Sequence, residues 1–147
     1  MKILTTRKNR AIMTLLLISA LCACSTLTKK DTSYQNEAQK RLGIRINAIR
    51  IIAAGHIVDM RYKIVDRQKA ALIINPKVKI YLVHQGTGKV LTVPNPPKIG
   101  RLRQIPKTID TSKQYFVLFG NTGKLLKPGD KVDLVVDRIW IRDIIIQ

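Results

Sequence analysis

Beyond Gly43 the hydrophobic residues fall into short runs of period two, each closed by a turn signal. Ile44, Ile46 and Ala48 alternate with Arg45, Asn47 and Ile49, and Arg50-Ile51-Ile52 continues the β-rich run to a turn or bulge at Ala53-Ala54-Gly55-His56. Next, Val58, Met60, Tyr62 and Ile64 point one way while Asp59, Arg61 and Lys63 point the other, as in a half-buried strand with one wet face. The two runs read as an antiparallel hairpin. Asp66, placed like a helix N-cap, opens one or two helical turns to Leu72. Lys77–Val83 alternates again, and Gly86-Thr87-Gly88 turns it into Lys89–Val93. Pro94-Asn95-Pro96-Pro97 cannot donate to a ladder, so a basic, loop-like passage follows to Ile109. Tyr115–Phe119, Lys131–Val136 and Ile139–Ile146 complete the set, with Leu126–Asp130 as a tight turn before the penultimate run. Seven to eight short strands in about a hundred residues predict an all-β fold, a sandwich or a barrel. There is no repeat of fixed period.

The chain before Arg41 has a different character. Lys2, Arg7, Lys8 and Arg10 precede an apolar run from Ala11 to Leu21, the order of a secretory signal peptide. Eleven residues fall short of the roughly 20 that a transmembrane helix needs. The run closes on Leu21-Cys22-Ala23-Cys24, which resembles the lipobox of bacterial lipoproteins: a branched apolar residue three places before the cysteine and a small one just before it. The resemblance implies cleavage before Cys24 and lipidation of that residue. Cys22 fits less well, because Ser19 and Leu21 would then take the aliphatic and small positions. Ser25 to Lys40 is polar and predicts a flexible tether, with a helical turn near Asn36 to Arg41. The expected organisation is therefore 1–23 signal peptide, 24–40 lipidated cysteine and tether, and 41–147 sandwich domain.

Charge and cysteine content follow from that division. The chain carries 27 Lys and Arg against nine Asp and Glu; the signal takes four cations and no acid, leaving 23 against nine in the mature part. So basic a surface favours anionic partners: head groups, wall polymers or an acidic envelope protein. Nucleic acid is not expected, since no stacking motif accompanies the charge. With Cys22 removed and Cys24 acylated, an exported domain has neither disulfide nor thiol chemistry and must stand on its core.

Two further resemblances concern the body. Leu126-Lys127-Pro128-Gly129-Asp130-Lys131-Val132 is similar to the turn that enters a late strand in immunoglobulin-like bacterial modules. The run from Gly55 to Lys79, with Tyr115–Asn121 and Lys127–Val135, resembles a family of uncharacterised exported bacterial proteins. In that family an Ala-Ala-Gly-His segment, then Asp-x-Arg-Tyr (here Asp59 to Tyr62), precedes a β-sandwich body. The two resemblances imply an antiparallel immunoglobulin-like β-sandwich of seven to eight strands and carry no activity.

Catalytic chemistry has few carriers. Ser112 is the domain's single serine, Glu37 the chain's single glutamate, and no nucleophile-elbow glycines surround Ser112 for a triad with His56 or His84. Asp130, Asp133 and Asp137 are expected at strand edges and turns, paired with lysine and arginine. His56, Met60 and His84 are ligand types that copper accepts, but without a His-x-His or cysteine partner they are weak candidates. Gly86-Thr87-Gly88-Lys89 reads as a hairpin loop, not a P-loop. Lys98, Arg101, Arg103 and Lys107 form the best candidate patch for an anionic partner. The expectation is a lipid-anchored, non-catalytic binding or assembly module of the envelope, without cofactor, or alternatively a periplasmic copper-binding lipoprotein. Serine rather than aspartate after Cys24 points to the periplasmic face of an outer membrane in a diderm host.

Overall fold

The computed structural model describes residues 27–147, with side chains from Gln35 onward. The signal-like stretch, Cys24 and Ser25 lie outside the described residues. Backbone contacts divide the chain between Thr32 and Ser33, and the second unit, Ser33–Gln147, holds all seven strands. They are β1 (Ile44–Ile52), β2 (Ile57–Ile64), β3 (Ile80–His84), β4 (Val90–Thr92), β5 (Gln114–Gly120), β6 (Lys131–Val136) and β7 (Ile139–Ile145). They form two antiparallel sheets, ordered β1-β2-β5 and β4-β3-β6-β7. The immunoglobulin constant arrangement places strands A, B, E and D on one sheet and C, F and G on the other. Here the fourth strand in chain order pairs with the third instead of the fifth, so the first sheet has three strands and the second has four. The fold is an immunoglobulin-like β-sandwich.

Period two governs which side chains meet, and one bulge resets it. Ile46 pairs with Tyr62 and Ala48 with Arg61, so Asn47 is the extra residue. Before the bulge Ile44 and Ile46 face inward; after it Ile49 and Ile51 do, opposite Met60 and Val58. The expected phase of β1 therefore holds for its first half and inverts in its second, which keeps all four isoleucines on the core side. Continuing across the sheet, Val58, Met60 and Tyr62 oppose Phe119, Val117 and Tyr115. The Tyr62 and Tyr115 rings lie 5.8 Å apart in a tilted pair. From the other sheet Leu82, Val132, Leu134, Val136 and Ile141 close the core, all fully buried.

A sandwich exposes strand edges, and both ends of this one are covered. On one side, helix α1 (Leu27–Leu42) serves the edge strands β1 and β7 together. Gln39 Oε1 accepts from the Ile46 amide at 2.7 Å, and Gln35 Nε2 donates to the Arg142 and Asp143 carbonyls at 2.7 and 2.8 Å. Ala38 and Leu42 are buried in the core beneath. This corrects the expected tether over 24–40: from Gln35 its polar residues belong to the folded unit. A segment poor in apolar groups is ordered here because its glutamines satisfy backbone groups that the sheets leave unpaired. On the other side, the passage after Pro97 runs along β5. Arg103 forms a lone bridge with Val117, Gln104 N donates to Phe116 O, and Leu118 N donates to Leu102 O.

Connections are fastened by a few buried groups. Asp66 accepts from the Gln68 and Lys69 amides and leads into α2 (Ala71–Ile74), which buries Ile73. These amide bonds, that of Lys69 first, hold its carboxyl below the usual range. Tyr115 Oη both accepts from the Asp110 amide and donates to the Asp110 carbonyl, a tyrosine-corner geometry. Ala53, Ala54 and Gly55 all take left-handed backbone angles between β1 and β2. Asn121, 0 % exposed, holds that turn: its Nδ2 donates to the Gly55 and Leu126 carbonyls, and its Oδ1 accepts from the Leu126 amide.

Asn121→Ala would leave these backbone groups buried without partners, each costing about 1–3 kcal/mol. We expect a loss of roughly 3 kcal/mol in urea unfolding; a loss below about 1 kcal/mol would refute the clasp. Gly43 has φ +63°, and a Cβ there would sit 2.5 Å from the Asp66 carbonyl, whereas at Gly123, φ +69°, it would meet nothing. Gly43→Ala should therefore cost clearly more than Gly123→Ala, whose penalty is the backbone term of about 1–2 kcal/mol alone.

Candidate functional site

The candidate metal ligands are placed apart. His56 is exposed beside the turn before β2, and Met60 is 0 % exposed on the core face of that strand. His84 ends β3 in the opposite sheet, with Nδ1 2.9 Å from Thr87 Oγ1 and Nε2 3.9 Å from Asp130. His56 and Met60, four apart, do not share a strand face, because Met60 points into the core. Among the described residues no three or more His, Cys, Asp or Glu are grouped to hold a metal ion. Ser112 Oγ donates to Asp110 Oδ1 at 2.6 Å within a turn, and these bonds, that side-chain one first, hold the Asp110 carboxyl below its ordinary value. Neither histidine is bonded to Ser112 among the described residues.

The basic loop divides. Lys98, Arg101 and Lys107 are exposed, but Arg103 departs from the expectation: it is 7 % exposed and turned inward. Its Nη1 donates to Val78 O at 3.0 Å and its Nη2 to Asn75 O at 2.7 Å. Arg101 Nη1 donates to Pro76 O at 2.6 Å. Two of the four cations therefore tie the covering passage to the segment between α2 and β3. Loop composition concealed this, since backbone carbonyls as partners leave no acidic signature in sequence.

Most of the acids are occupied as well, while Asp137, expected to pair with lysine or arginine, forms no such pair among the described residues. Glu37, Asp59, Asp66, Asp110, Asp133 and Asp143 each lie within 4 Å of a lysine or arginine, and Asp130 lies near His84. Asp59 and Asp133 differ from the expected wet-face and edge positions in being buried. Asp59 Oδ2 takes Arg61 Nε at 2.7 Å, and the Arg61 guanidinium lies 5.4 Å from the Phe116 ring centre. Asp133 Oδ1 accepts from Gln85 Nε2 and from the Asp143 amide at a bulge in β7.

What remains in excess is cationic, and the three-stranded sheet gathers it. On its outer face Arg45 stands directly opposite Lys63, Arg61 opposite Ala48, and Arg50 opposite Asp59. Asp59 is the single acid on that face, and its near oxygen is already taken by Arg61. Like charges directly opposite one another on a sheet are unfavourable by up to about 1 kcal/mol, so the Arg45–Lys63 pair is a cost that an anion would relieve. The signal was present in part in the alternation itself: of the residues on β1 and β2 that face out, Arg45, Arg50, Arg61 and Lys63 are basic, beside Ala48, Ile52, Ile57 and Asp59.

The outer face of the four-stranded sheet differs. Thr92, Tyr81, Val135 and Trp140 are successive cross-strand neighbours, with Val135 buried between the two rings. Trp140 stays 41 % exposed, and Arg142 stacks on it at 5.1 Å. No helix among the described residues is long and apolar enough to cross a membrane. No protein-family model, curated protein or solved structure matches the chain.

Proposed function

We propose that the protein is a lipid-anchored, non-catalytic binding or assembly module of the bacterial cell envelope, held through Cys24 and facing the periplasm from an outer membrane. It presents its basic three-stranded sheet to an anionic polymer or an acidic envelope protein. The observation that supports this reading is the Arg45–Lys63 juxtaposition beside Arg50 and Arg61 on one sheet face, where the single acid, Asp59, is engaged by Arg61. Strands hold such side chains at fixed spacing, so the charges meet a partner as an array. Electrostatic association of this kind supplies rate and orientation more than tight affinity. The lipobox resemblance and Ser25 support the anchor and its address.

The electrostatic half of the reading predicts retention on an anionic polymer matrix at low salt. Release is expected as the Debye length falls from about 10 Å at 0.1 M toward about 3 Å at 1 M. Arg45→Gln with Lys63→Gln should elute at distinctly lower salt than the parent; coincident elution would sink the role of this face. The anchor is read separately, by radiolabelled palmitate. Labelling should vanish in Cys24→Ala, and Ser25→Asp should move the protein from the outer- to the inner-membrane fraction. Label retained in the alanine variant, or both serine and aspartate forms in the inner membrane, would refute those assignments.

A further inference from the structure

Between the start of β3, the end of β4 and the crossing passage lies a cavity of about 240 Å³. Its polar lining comprises Lys79, Tyr81, Thr92, Asn95, Arg101 and Arg103, and no carboxylate contributes to it. Three cations therefore converge on one concavity without a counter-charge. Arg103 is the unusual member. Its two terminal nitrogens are spent on carbonyls, yet its buried Nε–H has no partner, and carbonyl dipoles do not neutralise its charge. Tyr62 Oη, also buried without a partner, belongs to the core behind it. Burial first, and the positive charge of Arg101 second, work against the charged form of Arg103. A guanidinium stays protonated regardless, so the cost stands in the folded protein.

We infer that this cavity is a binding site for a compact phosphate-type oxyanion. Several charge-assisted bonds from arginine and lysine, with hydroxyl and amide donors on the rim, suit an acceptor with several oxygens. The volume lies below the roughly 300–1,000 Å³ of pockets for drug-sized ligands, which fits a head group or a free ion. The site is made from the same loop that covers β5: Arg101 and Arg103 reach it only because they are pinned to Pro76, Val78 and Asn75. Lys79, which follows that segment, brings the third charge. The inference goes beyond the anionic-partner reading above, because this cavity is separate from the sheet face, and it rests on that reading for its biological setting only.

The test is titration of the full-length acylated protein, in neutral detergent, with inorganic phosphate at constant ionic strength, following arginine Nε–Hε resonances. The Arg103 signal should shift saturably at millimolar phosphate, and Lys79→Gln should weaken the midpoint at least fivefold while the fold is unchanged. Arg45→Gln with Lys63→Gln should leave that midpoint unaltered, which separates this site from the sheet face. A non-saturating drift shared by all exposed arginines would mean an adventitious ion only and would overturn the site, as would a Lys79→Gln midpoint equal to the parent's. A second arm adds vesicles of phosphatidylglycerol. Competition with phosphate would assign the oxyanion to a lipid head group, and its absence beside saturable phosphate binding would assign it to a soluble phosphate; either supports the site.

Discussion

The unpaired backbone at the rims of the two sheets is the constraint from which the rest of the molecule follows. Seven strands in two open sheets leave edge amides and carbonyls without ladder partners, and an exposed edge invites another chain to pair with it. The molecule answers with polar side chains on one flank and a loop on the other. Gln35 and Gln39 reach from α1 to β7 and β1, while residues 102–104 run as a broken strand beside β5. Remove the helix and the core loses its closure on that flank, because Ala38 and Leu42 enter it from there.

That closure also decides where charge goes. The passage beside β5 must be fastened to the sandwich, and the fasteners are arginines that donate to carbonyls. A carboxylate partner would have cancelled the charge; carbonyls satisfy the hydrogen bonds and leave it standing. The same contacts that secure an edge thus collect positive potential in one cavity. Elsewhere acids pair locally, Asp66 with Lys69 and Asp110 with Lys113 within their own turns. Arginine and lysine on β1 and β2 are left facing one another.

Without a cysteine among the described residues, order is maintained by packing and by buried polar clasps. Asn121 and Tyr115 have this role where the chain turns between sheets, each with the bonds of its polar head made to backbone. Such groups specify one arrangement of loops, since any other leaves them buried and unpaired. Tyr62 stands apart: it packs on Tyr115 but its hydroxyl finds no partner, and burial raises its ionisation well above the ordinary phenol value. The charge of Arg103 nearby works in the opposite direction, and burial outweighs it.

Period two and apolar density were enough to locate all seven strands, even β6 with both faces buried, since the turn residues between them leave little choice of boundary. Val58, Met60, Tyr62 and Ile64 could be assigned to the core from their spacing alone, and Gly86 to Gly88 to a hairpin from its chemistry. The phase of β1 beyond Asn47 could not, because a bulge depends on what the partner strand presents, and only pairing with β2 shows one residue to spare. The docking of residues 35–40 was likewise hidden: a helical turn near 36–41 could be expected, but their composition is that of a solvated segment, and they are held by distant carbonyls at 142 and 143. Arg103 makes the same point for the site. Its sequence neighbours mark it as one cation among several in a proline-rich loop, and only the tertiary fold buries it, spends two of its nitrogens on the segment before β3, and sets it beside Lys79.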